Sequence, residues 1–287
     1  MSVHLYTISW NEADIIPFFF RHYDPFVDRY VIYDDGSDDG TLDLLAHNPK
    51  VEIRQFDRVN RDSFVLSHQL LQNEVWKESR GNADWVIITA IDEHLTLRRC
   101  AMGDYLAECK AADITLIPAI GYQMVSDEFP AADELLCETQ VMGAPSHYMN
   151  KLSIFNPDAI SNAGFAVGRH QAKPEGCLRY PSRDELLLLH YKKLNFERTM
   201  ERQMELAARL GKIDNVNGWG AHYSWESEKL KQAWTDTQAN AVNTFAPGFD
   251  CNLACEPPFW WRDKPEAQKP EPAQASGVGK WLKRLTG

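Results

Sequence analysis

The stretch Val31-Ile32-Tyr33-Asp34-Asp35-Gly36-Ser37-Asp38-Asp39-Gly40-Thr41 decides the fold. Apolar residues run up to a pair of carboxylates. Two glycines and small polar residues follow, and an apolar helical pattern then begins. This reads as a buried strand ending in an acid-lined turn that opens a helix. In an open α/β sheet, ligands sit at the carboxyl ends of strands, so Asp34 and Asp35 are placed to face one. Gly36 and Gly40 let the backbone turn sharply and approach a ligand closely. Thr41, or Asp39 before it, can cap the helix. An ordinary surface turn also favours Asp, Gly and Ser. What favours a functional reading is a second strand of the same kind, Trp85-Val86-Ile87-Ile88-Thr89-Ala90-Ile91-Asp92-Glu93-His94, which again delivers acids to a strand end.

Outward from this turn, strand and helix patterns alternate. Val3 to Ser9 suits a first strand, and Trp10-Asn11-Glu12 follows it. Ile15, Ile16, Phe19, Phe20 and Tyr23 share a helical stripe, with Pro17 tolerated only in the first turn. Asp28 to Tyr33, Val51 to Phe56 and Asp84 to Ile91 read as strands. Leu42 to Ala46 and Asp62 to Arg80 read as helices, the second capped by Asp62 or Ser63. Short connections between such elements predict an α/β fold: a Rossmann-like, mostly parallel sheet flanked by helices, with right-handed crossovers.

Beyond Cys100 the pattern loosens. Met102 to Lys110 reads as a short helix and Asp113 to Ile120 as a strand. Residues 121–165 read as irregular, with a strand at Lys151 to Phe155, and offer loops for an acceptor site. Glu185 to Tyr191 is a buried strand ending in His190. Phe196 to Leu210 and Ser227 to Val242 read as helices. The expected organisation is one domain over residues 1–261, made of a nucleotide-binding half (1–100), an acceptor and metal half (101–195) and a helical C-terminal part (196–261). Residues 262–287 read as a flexible Pro/Glu/Lys-rich tail. Its basic end, Gly279-Lys280-Trp281-Leu282-Lys283-Arg284-Leu285, reads as a frayed tail or as a contact for an anionic membrane surface.

Composition narrows the function classes. The 287 residues carry a formal net charge of -11, which argues against nonspecific nucleic-acid binding, since that needs a basic surface. The six cysteines are scattered apart from Cys251 and Cys255, with no zinc spacing, and read as reduced thiols. Met1-Ser2-Val3-His4 enters a strand without a basic leader, and no apolar run reaches the roughly 20 residues of a membrane span. The expectation is a cytoplasmic protein, or one peripheral at the inner face of the membrane.

Glu12, Asp35 and Asp92 all fall at strand ends of one sheet. Acids gathered there repel one another unless they share a cation, and hard oxygen ligands suit Mg²⁺ or Mn²⁺. Such a metal uses one or two carboxylates and completes its shell with phosphate oxygens and water, so a diphosphate is the natural partner. Along an extended segment, Asp92 and His94 would share one side and Glu93 the other. Asp92 is therefore the expected ligand and Glu93 orients the loop. His190 is either a nitrogen ligand or a packed, hydrogen-bonded residue.

These pieces together resemble the family 2 glycosyltransferases with the GT-A fold, in particular the bacterial branch whose acidic motif reads Asp-x-Asp-Glu-Phe. Asn11-Glu12, the turn from Tyr33 to Thr41, the strand from Asp84 to Leu95, Asn150-Lys151-Leu152-Ser153-Ile154-Phe155 and His190-Tyr191 come in the family's order over about residues 3–200. The resemblance implies that Asn11, Glu12, Asp34, Asp35, Gly36 and Ser37 bind a nucleotide-diphosphate-sugar, with Glu12 and Asp35 on its base and ribose. It implies Asp92 on a Mn²⁺ or Mg²⁺ ion bridging the diphosphate, His190 completing that site, and Lys151 holding phosphate or acceptor. The family's first Asp falls here on Ala90, and His94 replaces the usual aromatic as a compensating ligand candidate.

Inverting transfer to a glycan or lipid-linked hydroxyl needs a general base, for which Asp127, Glu128 and Glu134 lie in the expected loop region. The activity implied is a hexosyltransferase of bacterial surface polysaccharide or glycan synthesis. The rivals are a nucleotide-sugar-binding protein that has lost catalysis, suggested by Ala90, and a sugar nucleotidyltransferase. The second rival would carry a Gly-rich basic loop where Trp10-Asn11-Glu12-Ala13 stands. A metal-dependent hydrolase lacks its His-rich cluster.

Overall fold

The computed structural model describes residues 1–262. The tail expected over residues 262–287, with its basic end, lies outside the described residues apart from Arg262. The strands β1 (Val3–Ser9), β2 (Arg29–Asp34), β3 (Val51–Gln55) and β4 (Trp85–Ile88) pair in parallel in the order β3-β2-β1-β4. Helices α1 (Ile16–Tyr23), α2 (Thr41–Ala46) and α3 (Phe64–Glu74) connect them. Alternate residues of β1, β2 and β4 enter two different cores. Val3, Leu5, Tyr30, Ile32, Trp85 and Ile87 pack with Ile16, Phe19 and Tyr23 of α1. Tyr6, Val31, Tyr33, Val86 and Ile88 pack on the other face with Leu71 of α3 and Trp76. Strands buried on both faces read as continuous apolar runs, and each large side chain so buried stabilises the fold by about 1.5–3 kcal/mol.

Local signals set the helix ends. Pro17 falls in the first turn of α1, where its missing N–H costs nothing. Ser63 caps α3, its side chain accepting from Leu66 N at 3.0 Å. Gly40 (φ 96°) stands at the start of α2, a backbone conformation natural to glycine. Beside it, Asp39 accepts from Thr41 N at 3.0 Å.

Past β4 the sheet becomes mixed. β5 (Glu93–Thr96) follows a tight turn, and then come α4 (Met102–Ala111), the long β6 (Leu116–Ser126), α5 (Leu136–Thr139), β7 (Met142–Pro145) and β8 (Lys151–Phe155). β8 lies antiparallel between β4 and β6. β9 (Ile160–Asn162) and β10 (Glu175–Gly176) make a separate pair. β11 (Leu187–Leu194) runs parallel to β6 and antiparallel to β5. Helices α6 (Phe196–Ala208), α7 (Lys212–Val216) and α8 (Ser227–Ala239) follow, and β12 (Val242–Asn243) closes on β7. The α/β class expected from the sequence is borne out, with helices flanking the sheet. Residues 121–165, expected to be irregular apart from a strand at Lys151 to Phe155, carry that strand as β8 and also the end of β6 and all of β7 and β9. β6 passes straight through Gly121, whose missing side chain lets the Met149 backbone approach: a Cβ there would lie 2.3 Å from the Met149 carbonyl carbon. All six cysteines are unpaired. Among the described residues, no helix is long and apolar enough to cross a membrane.

His94 lies in the core. It is fully buried and stacked on His22 at 4.6 Å between ring centroids. His22 bonds the Leu95 carbonyl at 2.8 Å, whereas neither His94 nitrogen makes a well-formed hydrogen bond. Burial, and then the charge of the neighbouring imidazole, pushes His94 well below the usual histidine range. Burial pushes His22 down to about 4. The native state thus holds both rings neutral, while the unfolded chain takes up protons below pH about 6.5. Stability therefore falls as pH drops from about 6.5 towards 4. His94→Phe, which removes two unpaired buried nitrogens, is expected to raise the unfolding free energy by about 1 kcal/mol at pH 7.5. Urea titrations at pH 7.5 and pH 5 measure this, and the variant should lose less stability between the two pH values than the wild type.

Candidate functional site

The first βα loop and the acid-lined turn are laced together. Asp34 accepts from Gly36 N (2.9 Å), Ser37 N (3.0 Å) and Ser37 Oγ (2.5 Å). Ser37 Oγ accepts from Asn11 N at 2.9 Å, and Asn11 and Asp38 exchange two hydrogen bonds of 2.8 and 2.9 Å. Thr41 Oγ1 accepts from Glu12 N at 2.7 Å. Asp34 therefore organises the turn. Its short side chain folds back onto the two amides that follow it. Asn11, Gly36 and Ser37 serve the same lacing and do not line the main cleft.

That cleft, of about 310 Å³, opens at the carboxyl ends of β1 and β4. Its lining includes Lys151, Arg169, Lys192, Arg198 and Arg202 against Glu12, Asp92 and Glu93. A protein of net charge -11 thus presents a cleft in which cations outnumber carboxylates. Its floor is Glu93, which is 2% exposed. Glu93 Oε1 accepts from Lys151 Nζ at 2.6 Å, and Oε2 accepts from Arg169 and from Ala90 N at 3.1 Å. Burial alone would raise the Glu93 carboxyl, but Arg169 and Lys151 hold it well below the usual range. Arg169 also donates to the Ile88 carbonyl at 2.6 Å. It reaches both partners from a left-handed backbone (φ 58°) directly after Gly168 (φ 67°). Such a backbone costs a non-glycine residue of order 1 kcal/mol or more.

Asp92 lies in the turn before β5, so strand alternation does not govern it. Antiparallel pairing sets Glu93 opposite His190 and His94 opposite Leu189. Glu93 and His190 accordingly share the cleft face, and His94 turns into the core. This corrects the expectation that His94 would join Asp92. Asp92 Oδ2 stands 3.2 Å from His190 Nε2, and His190 Nδ1 stands 2.8 Å from Gln123 Oε1. Gln123 Nε2 donates to the His190 carbonyl at 3.1 Å, which fixes the amide with its oxygen towards the ring. Nδ1 is then the donor, and a neutral His190 turns a lone pair on Nε2 towards a carboxylate oxygen. Two acceptors face each other, an arrangement that calls for a proton or a cation between them. Burial works against the charged form of Asp92, but the adjoining His190 holds it below the usual carboxylate range.

The other acids are engaged by arginines. Glu12 meets Arg202 at 2.7 Å. Burial pushes its carboxyl up to about 8 against that contact, and the direct guanidinium partner favours the ionised form. Asp35 lies behind the cleft lining, between Arg58 (2.8 Å) and Arg209. Arg209 also covers the Trp10 ring at 3.8 Å. The candidate bases stand elsewhere. Asp127 accepts from Trp234 Nε1 (3.2 Å) and Gln238 Nε2 (2.8 Å) of α8. Glu134 accepts from Ala131 N (3.0 Å) and Gln140 Nε2 (3.1 Å). Glu128 is exposed. None of the three lines the cleft, because the long β6 carries this segment away to α8. His170 does line it. Its Nδ1 donates to the Tyr148 carbonyl at 2.5 Å, leaving the Nε2 lone pair free, and burial pushes it down to about 4.

Sequence reasoning missed Arg169, His170, Lys192, Arg202 and His222. Lys192 was within reach, since it lies two residues past His190 on a strand. The acids' partners Arg198, Arg202 and Arg209 also recur at helical spacing. Arg169 and His170 carry no local signal.

No protein-family model matches the chain, and no curated protein matches it. Among solved structures the chain is similar to the glucosyl-3-phosphoglycerate synthase of Mycobacterium tuberculosis, determined in complex with Mn²⁺, UDP and glucosyl-3-phosphoglycerate. The TM-score is 0.35 and the identity 13%, over 58% of this chain and 61% of that one. This chain therefore spans less than two thirds of that structure. It is also similar to a 4-diphosphocytidyl-2C-methyl-D-erythritol synthase of Anaerococcus prevotii, with a TM-score of 0.29 and 10% identity over 54% of this chain and 71% of that one. A second synthase of that name gives a TM-score of 0.28 and 14% identity over 55% and 76%.

Removing the charge of Glu93 would leave two buried cations facing each other. Glu93→Gln is expected to cost about 3–5 kcal/mol, read by chemical denaturation. Lys151→Met should cost less, because Arg169 still pairs with the carboxylate.

Proposed function

We propose that this chain is a glycosyltransferase that moves a sugar from a nucleotide-diphosphate-sugar to a hydroxyl acceptor. The reading rests on one observation above the others: the Asp92 carboxylate and the His190 lone pair converge in a cleft rich in cations. Among the described residues, no group of three or more His, Cys, Asp and Glu side chains is set to hold a metal. A pair of ligands nevertheless fits Mg²⁺ or Mn²⁺, ions that keep most of their shell for phosphate oxygens and water. Asp92 and His190 would hold the ion, and it would supply Lewis-acid stabilisation of the charge on the leaving diphosphate.

In this proposal the chain's own residues do the remaining work. Gln123 keeps His190 turned to Asp92. Lys151 and Arg169 bring one positive charge more than Glu93 neutralises, and so favour the departing anion more as its charge grows. Residues 1–100 form the nucleotide-binding half, with Glu12 as the acid nearest the nucleoside and Asp35 behind it between Arg58 and Arg209, and residues 101–195 form the acceptor and metal half. His170 replaces the expected carboxylates as proton acceptor: its Nδ1 is committed to the Tyr148 carbonyl, so Nε2 is free to take the acceptor's proton. The acceptor is a glycan or lipid-linked hydroxyl, within bacterial surface polysaccharide or glycan synthesis.

Thermal unfolding in a panel of nucleoside diphosphates, with and without Mn²⁺, tests the donor site. One nucleotide at about 100 times its dissociation constant should add about 2.7 kcal/mol, and Asp92→Ala should abolish the Mn²⁺-dependent part. Stabilisation by no nucleotide under either condition would reject the reading. His170→Gln is expected to keep the nucleotide effect and to lower sugar transfer at least a hundredfold. Transfer from a radiolabelled donor measures that loss.

A further inference from the structure

We propose that Lys192 forms a phosphoryl-binding subsite that works without a divalent metal. The proposal rests on the cleft's assignment as a substrate site, and its test keeps the two apart. Lys192 and Lys193 are adjacent on β11 and meet opposite fates. Lys193 Nζ turns to α8, where the Ala233 carbonyl (2.8 Å) and Thr237 Oγ1 (2.5 Å) accept from it. Tyr191, on the other side of Lys192, enters the core against His94 at 5.0 Å. Lys192 turns into the cleft on the same face as His190. There it donates to His222 Nε2 at 3.1 Å and stands 4.2 Å from the centre of the Tyr223 ring. Among the described residues no carboxylate comes within ion-pair distance of it, whereas Arg198 has Asp14, Arg202 has Glu12, and Lys151 and Arg169 have Glu93.

An ammonium has three donors, and that of Lys192 is partly exposed to the cleft. Here one donor meets a neutral ring nitrogen and the charge meets a π face. Neither neutralises it, and the strongest opposing charge, Asp92, acts from beyond ion-pair distance and is engaged with His190. The neighbouring floor adds to the imbalance, since Lys151 and Arg169 share a single carboxylate. A sugar hydroxyl satisfies a donor and leaves the charge uncompensated, whereas a phosphoryl group supplies several oxygens and the opposite charge. The same chemistry belongs to the diphosphate of a donor or to a phosphate on a second substrate.

Titration calorimetry of the full chain with inorganic pyrophosphate and with inorganic phosphate, both in EDTA, tests the subsite. At least one of the ions is expected to bind the wild type. Lys192→Met should weaken it about tenfold or more, while Lys192→Arg stays within about threefold. A second measurement needs no variant: acetylation of Lys192 in the wild type, followed by peptide mass spectrometry, should slow severalfold in the presence of the ion. The proposal is overturned if neither ion binds in EDTA, if Lys192→Met binds as tightly as wild type, or if acetylation of Lys192 is unchanged by the ion. Competition between the ion and a nucleoside diphosphate would assign the subsite to the donor. Binding of phosphate alongside a saturating nucleoside diphosphate would assign it to a second substrate. If pyrophosphate binds while no nucleoside diphosphate does, the subsite stands and the glycosyltransferase reading falls.

Discussion

The arrangement of the cleft depends on one buried carboxylate held between two cations. Glu93 starts β5, Lys151 starts β8, and Arg169 sits in a turn after β9. Their contact ties together three segments that no local signal would join. A buried ion triad is weak evidence for stability, because desolvation offsets much of the attraction. Its consequence here is positional. With Glu93 also taking the amide of Ala90, the loop that presents Asp92 is fixed from beneath, and the left-handed backbone at Arg169 is held in place by the partners its side chain reaches.

The sequence shows the first half of the fold well because the physics there is local. A strand buried on both faces must be apolar throughout, so β1, β2 and β4 announce themselves. β1 starts and ends where the pattern does. The later half was harder to read. β6 runs through polar and small residues such as Gly121 and Gln123, each of which has a long-range reason to be there: close approach of Met149 at one, and orientation of His190 at the other. His94 was misplaced because a turn at Asp92 resets the alternation. For the candidate site, Asp92, Glu12 and His190 were legible as acids or an imidazole at strand ends. Arg169 and His170 were not, since their placement depends on a turn brought across the molecule.

The cleft is also closed on one side by charge. Arg198, Arg202 and the nearby Arg209 meet Asp14, Glu12 and Asp35, so the strand-end acids Glu12 and Asp35, which looked free in the sequence, are covered by arginines almost two hundred residues away. The cleft consequently carries a positive balance that neither the overall charge nor the strand-end acids foretold.

The outer rim of the parallel half has its own consequence. β3 ends the sheet, and it is short and largely exposed. An edge of this kind is a template on which another chain can add a strand. Glu52 and Arg54 stand on it and are knitted to Arg29 and Glu78 in a continuous array of ion pairs. A docking strand would have to strip these charges of their partners and their water. The border that is least buried thus carries its own defence against aggregation.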